Sequence, residues 1–106
     1  MKIQLNQTYK NLRGEEIKNE EGLLTLGQVL ANLVLLPNEG KKGFRPLPAY
    51  ELAKKFYSEP EVDLGLSDFV QLKELIETNN AYMILVTAQT LEMLENAKLQ
   101  EEIKKK

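Results

Sequence analysis

Apolar residues recur at helical spacing along much of the chain, and the strongest of these patterns lies in its first third. Thr25 and Gln28 have the spacing of a capping box, so a first helix is predicted to begin there. Pro37 is predicted to end this helix, because the residue before a proline is disfavoured in the helical region. A wide apolar stripe between these points predicts a helix central to the core. The stripe consists of Leu26, Val29, Leu30, Leu33 and Val34, extended by Leu35 and Leu36.

Two further helices are predicted in the middle of the chain. The second opens with Pro48 in its first turn and stops around Ser58. The third is predicted to start near Gly65 or Ser67, and we prefer Gly65 because that start pairs Leu64 with Phe69 as a hydrophobic staple.

A fourth helix is predicted over residues 81–97, and its first half is apolar nearly all round. The charged tail that follows, residues 98–106, is expected to fray. The apolar residues of this helix include Ile84, Leu85, Ala88, Leu91 and Leu94.

The N-terminal segment, residues 2–18, has the alternation of a strand. Ile3 and Leu5 alternate with polar residues, and Gly14 marks a turn. We therefore predict a short β-hairpin or extended arm here, and we interpret the charged run at residues 19–22 as a loop.

These elements together predict a mainly α fold, with about four helices in a compact single domain and a short N-terminal β-hairpin or extended arm. A chain of 106 residues is long enough for one core and too short for two. The single domain covers residues 1–106, with the arm at 2–18, the helical core at 25–97 and the charged tail at 98–106.

Composition narrows the chemistry that this domain can perform. The chain has no cysteine and no histidine, which removes thiol catalysis, zinc sites built from these residues and the usual general base at neutral pH. We therefore expect no enzyme activity, no metal and no cofactor. The net charge of −2 gives no field that would gather nucleic acid or anionic lipid. No apolar run is long enough to span a membrane, and the chain begins without a signal-peptide pattern.

Two charged groups are the candidates for ligand chemistry. The acidic group is Glu59, Glu61, Asp63 and Asp68. Its spacing matches no calcium loop, so we interpret it as a solvated turn whose acids favour the next helix start.

The basic group is Lys41, Lys42 and Arg45, beside two glycines and an aromatic residue. Such a loop can touch phosphates, but it lacks the P-loop spacing, and three charges give only weak, salt-sensitive binding. We favour a solvent-exposed connection and expect nucleic-acid binding to be weak or absent.

The start of the fourth helix is the predicted interaction surface. It consists of Tyr82, Met83, Ile84, Leu85 and Val86. Five consecutive apolar positions cover the whole circumference of a helix, so one core buries all of them only if the helix is central. The face left over predicts a homodimer. The alternative is that the N-terminal hairpin covers this face within the monomer.

Several segments carry a family resemblance over residues 5–94. They are residues 12–17 (LRGEEI), 25–32 (TLGQVLAN), 50–57 (YELAKKFY), 61–64 (EVDL), 72–76 (LKELI) and 88–94 (AQTLEML). These segments resemble the hairpin turn, the TLGxVLANxL helix, the YELAxKxY and VDL segments and the later helices of a small family encoded by phages and prophages. The resemblance implies a phage or mobile-element origin and a shared fold. It implies no reaction, because every matched piece is a turn, a cap or an apolar stripe.

We therefore expect a non-catalytic phage or prophage accessory protein that acts through protein–protein contacts, for example in particle assembly. Its partner would be another protein or a second copy of the chain, in the cytoplasm of a bacterial host or in the phage particle. The alternative is a small regulator that binds a nucleic acid or a nucleic-acid-processing enzyme.

Overall fold

Four helices and two small antiparallel sheets make up the described part of the chain. A computed structural model gives this architecture and describes residues 1–36, 45–79 and 81–104. In chain order the elements are β1 (Lys2–Gln4), β2 (Lys18–Asn19), β3 (Gly22–Leu23), α1 (Leu26–Val34), α2 (Pro46–Ser58), β4 (Glu61–Asp63), α3 (Leu66–Thr78) and α4 (Ile84–Lys104). The predicted mainly α fold with short β structure near the N-terminus is confirmed.

Helix α1 begins at the predicted cap and lies at the centre of the core. The Thr25 hydroxyl accepts a hydrogen bond from the backbone N–H of Gln28, and the five residues of the apolar stripe are all buried. The prediction that Leu35 and Leu36 extend the stripe is wrong, because α1 ends at Val34 and both leucines are exposed. Leu35 is the C-cap residue and keeps helical backbone angles, so it lies on the same side as Gln28, about two helical turns away.

Helix α2 packs closely against α1, and one glycine makes this approach feasible. It begins at Pro46, so Pro48 lies in its first turn as predicted, and it buries a face that includes Ala53 and Phe56. A Cβ atom on Gly27 would lie 2.2 Å from the backbone carbonyl oxygen of Phe56. A side chain at this position in α1 therefore has no room, and the two helix backbones nearly touch.

The N-terminal arm pairs with a distant strand as well as turning on itself. Gly14 adopts φ +85° in the predicted turn, and the N–H of Ile17 donates to the carbonyl oxygen of Tyr9 as the chain returns. Strand β1, however, pairs with β4, with Ile3 opposite Val62 and both side chains buried. The chain thus forms a hairpin turn and a separate long-range sheet.

A second hairpin lies in the segment interpreted as a loop. Strands β2 and β3 pair with Lys18 opposite Leu23 and Asn19 opposite Gly22. Gly22 has φ +120°, which few other residues adopt readily. The loop interpretation of residues 19–22 is therefore wrong, because this glycine lets the chain reverse within two residues.

Helix α3 begins as predicted, with Gly65 as the cap residue and with Leu64 and Phe69 both buried. Helix α4 begins three residues later than predicted. The Asn79 side-chain oxygen accepts hydrogen bonds from the backbone N–H groups of Ala81 and Tyr82, which forms an Asx turn and delays the helix.

Helix α4 continues into the charged tail as far as Lys104, and fraying of this tail stays a prediction. Lysine, glutamate, glutamine and leucine are good helix formers, and their propensity favours continuation of α4.

The residues that α4 buries also differ from those predicted. Val86, Thr90 and Leu94 are the buried positions, at a spacing of four, whereas Ile84 and Ala88 are exposed. The N-terminal arm packs on this helix at Gln89 and Thr90, but it does not cover the predicted face at residues 82–86, because Met83 and Ile84 are exposed.

One buried hydrogen bond fixes the arm to α4. The Thr90 hydroxyl lies 2.8 Å from the carbonyl oxygen of Val86, to which it donates, and 2.6 Å from the hydroxyl of Tyr9. Tyr9 is therefore the donor to Thr90. Burial raises the pKa of Tyr9, so its hydroxyl stays protonated at neutral pH. The Gln89 side chain adds two hydrogen bonds to the backbone of Lys10.

Removing the Tyr9 hydroxyl should weaken this attachment. Tyr9→Phe is expected to lower the free energy of unfolding by about 1 kcal/mol, because one buried hydrogen bond is lost while Thr90 keeps its bond to Val86. Urea unfolding measures the change. Tyr57→Phe, which removes an exposed hydroxyl, is the matched control and should cost less. Equal stability of Tyr9→Phe and the parent would mean that the arm is not fixed here.

Candidate functional site

Two members of the acidic group, Glu61 and Asp63, join β1 to β4, while Asp68 lies in the first turn of α3 as predicted. Asp63 accepts a hydrogen bond of 2.7 Å from the amino group of Met1, and Glu61 accepts one of 2.8 Å from the Gln4 amide. The bond from Met1 lowers the pKa of Asp63. Within residues 1–36, 45–79 and 81–104, no three acidic side chains lie where they could hold a metal ion.

The basic group is only partly described. Lys41 and Lys42 lie outside the described residues. Arg45 is exposed, at the N-cap of α2, and its side chain makes no capping hydrogen bond. The phosphate-binding interpretation therefore stays a prediction.

The predicted surface at residues 82–86 divides between core and solvent. Val86 is buried and so is not part of a surface, which corrects the predicted set. Tyr82 is half-buried and accepts a hydrogen bond from the Asn32 amide, and Leu85 is also half-buried. Met83 is 64% exposed and Ile84 is 86% exposed. Self-association through these two side chains stays a prediction.

An apolar concavity lies between α1 and α2. We call it the α1–α2 groove; it is open to solvent and has a volume of about 550 Å³. Its apolar walls include Leu35, Tyr50 and Tyr57, each more than half exposed. Its remaining lining residues are Ala31, Asn32, Ala53, Lys54 and Ser58.

The sequence builds this groove from two features of the helix pair. The small side chains of Ala31 and Ala53, both buried, line its base. Tyr50 and Tyr57 are seven residues apart in α2 and therefore stand on the same side of the helix, two turns apart. The two tyrosine rings therefore form one side of the groove, and the two alanines form its base.

The Lys54 side chain contacts the Tyr50 ring on one wall of the groove. The Lys54 ammonium lies 4.6 Å from the centre of the Tyr50 ring, within the range of a cation–π interaction, and 3.4 Å from the Glu51 carboxylate. These contacts favour one orientation of the Tyr50 ring and place a polar rim above it.

An acidic extension continues the groove at its other end. It is a second concavity of about 310 Å³ that shares Asn32 and Tyr57 with the α1–α2 groove. Its remaining lining residues are Asn19, Glu20, Glu21 and Gln28. The Tyr57 hydroxyl donates to the Glu21 carboxylate over 3.0 Å, which raises the pKa of Tyr57. The two concavities form one surface, apolar at one end and acidic at the other.

Sequence reasoning did not identify this surface. The sequence analysis gave Tyr50 and Tyr57 no binding role, and it assigned Leu35 to the apolar stripe. The spacing of the two tyrosines was a usable signal, because it places two large rings on one side of a helix. Glu20 and Glu21 gave no signal, since the hairpin that carries them was interpreted as a loop.

No protein-family model matches this chain, and no curated protein or solved structure matches it either. In the part of the chain that the structure describes, no helix is long and apolar enough to cross a membrane. The resemblance to phage-encoded proteins therefore stays a prediction.

Proposed function

We propose that this protein is a non-catalytic phage or prophage accessory protein that acts through protein–protein contacts, with the α1–α2 groove as its contact surface. The observation that carries the proposal is the gathering of Leu35, Tyr50 and Tyr57, all largely exposed, around a concave floor. Exposed apolar patches rimmed by polar groups mark protein contacts, and tyrosine is enriched at interfaces. The phage origin and a role in particle assembly depend on the sequence resemblance.

The polar side chains of the groove support a binding role rather than a catalytic one. Lys54 makes a cation–π contact with Tyr50 and an ion pair with Glu51, and Tyr57 donates a hydrogen bond to Glu21. These groups fix the shape of the walls. An apolar centre with a polar rim is the usual anatomy of a protein interface.

Co-purification from cells that express the surrounding genes tests the proposal. A protein encoded beside this chain should co-purify with it. Tyr50→Ala/Tyr57→Ala should then raise the dissociation constant for that protein at least tenfold, because exposed aromatic anchors carry much of the energy of an interface. Isothermal titration of the purified pair measures the change.

The matched control is Leu66→Ala/Val70→Ala, which removes two exposed apolar side chains from α3 instead. This variant should bind as the parent does, and circular dichroism should show both variants folded. Unchanged affinity in the tyrosine variant would contradict the proposal. A submicromolar DNA or RNA complex that charge reversal of Lys41, Lys42 and Arg45 abolishes would favour the regulator instead.

A further inference from the structure

We infer that the occupant of the α1–α2 groove is a short protein segment that carries a large apolar side chain near a lysine or arginine. This inference depends on the proposed function and adds to it the chemistry of the partner. It comes from the joining of the groove to its acidic extension through two shared residues, Asn32 and Tyr57.

The apolar end selects the first feature of the segment. Leu35 and Tyr50 offer exposed apolar surface above Ala31 and Ala53, and a volume of about 550 Å³ accepts more than one aliphatic side chain. Transfer of such a side chain from water into this space supplies the main binding free energy.

The acidic extension selects the second feature. Glu20 and Glu21 are both exposed, and neither lies in an ion pair with any described cation. The Tyr57 hydroxyl donates a hydrogen bond to the Glu21 carboxylate, and the Glu21 backbone N–H donates one to the Asn19 side-chain oxygen. Two adjacent negative charges at one end of an apolar groove are complementary to a cationic group on the partner.

The geometry of α1 sets the spacing between the two features. Gln28 lines the acidic extension and Leu35 lines the apolar end. Seven helical residues span about 10 Å along the axis. An extended partner segment covers that distance in about three residues, and a helical segment covers it in about seven.

Selection from a displayed library of random twelve-residue peptides on the full chain tests the inference. Enriched peptides should carry leucine, isoleucine, methionine or phenylalanine at one of these two spacings from lysine or arginine, more often than the unselected library does. For an enriched peptide, fluorescence anisotropy should show that Glu20→Gln/Glu21→Gln weakens binding at least threefold and reduces its salt dependence.

The matched control is Glu15→Gln/Glu16→Gln, an adjacent exposed acidic pair that lines neither concavity, and it should leave binding unchanged. One outcome would overturn the inference and leave the proposed function standing. In that outcome, Tyr50→Ala/Tyr57→Ala abolishes peptide binding, but the enriched peptides are not enriched in lysine or arginine and Glu20→Gln/Glu21→Gln does not change their affinity. If no peptide is enriched, or if enriched peptides bind equally well to Tyr50→Ala/Tyr57→Ala, both are overturned.

Discussion

Leu30→Ala is expected to lower the free energy of unfolding by about 2–5 kcal/mol, since it removes a large side chain from a fully buried position. Leu30 lies in the middle of α1, which packs against both α2 and α3. The substitution therefore loses burial and leaves a cavity that helices on two sides must collapse to fill. A loss of this size lowers the melting temperature by roughly 8 °C or more.

Leu12→Ala is the control for this prediction. Leu12 is 95% exposed, in the turn of the N-terminal arm, so its truncation should change stability by less than about 0.5 kcal/mol. Thermal unfolding followed by circular dichroism compares the two variants. If Leu30→Ala melts within a degree or two of the parent, α1 is not the central helix.

Gly27→Ala should destabilise the protein by about 2 kcal/mol, although alanine is the better helix former. Helix propensity alone would favour the alanine variant by about 1 kcal/mol. The new Cβ atom, however, would lie 2.2 Å from the Phe56 carbonyl oxygen, which belongs to the backbone and cannot turn away. The helices must separate, and packing between α1 and α2 is lost.

Gly65→Ala is the matched control, because Gly65 has φ −71° and open space around its Cα. Gly65→Ala should lower the free energy of unfolding by less than about 1 kcal/mol, which is the size of the effect expected from a weakened helix cap. Urea unfolding of both variants gives the comparison. A Gly27→Ala variant more stable than the parent would contradict the close approach of α1 and α2.

Local signals accounted for most of the helical fold. The Thr25 cap, the Gly65 start and the α1 stripe depend on neighbours within one or two helical turns, so the sequence displays them directly. The pairing of β1 with β4 depends instead on residues far apart in the sequence, because α1 and α2 lie between Ile3 and Val62 along the chain. The exposure of Leu35 was not predicted either, because it depends on the end of α1 at Val34, which the apolar pattern does not mark.

The candidate site was less predictable than the fold because three separate segments build it. The tyrosine spacing in α2 was visible in the sequence. The close approach of α1 and α2 at Gly27 was not visible there, because the Phe56 backbone meets Gly27 only in the folded chain. The acidic extension depends on the β2–β3 hairpin, which brings Glu20 and Glu21 to the end of the groove.

The most direct test of the protein-contact proposal is amide hydrogen exchange of the chain, free and in complex with the partner recovered by co-purification. The account predicts added protection in the segments that line the α1–α2 groove, residues 31–35 and 50–58, and unchanged exchange on α3 around Leu66 and Val70. Protection confined to α3, or to the segment around Met83 and Ile84, would contradict it.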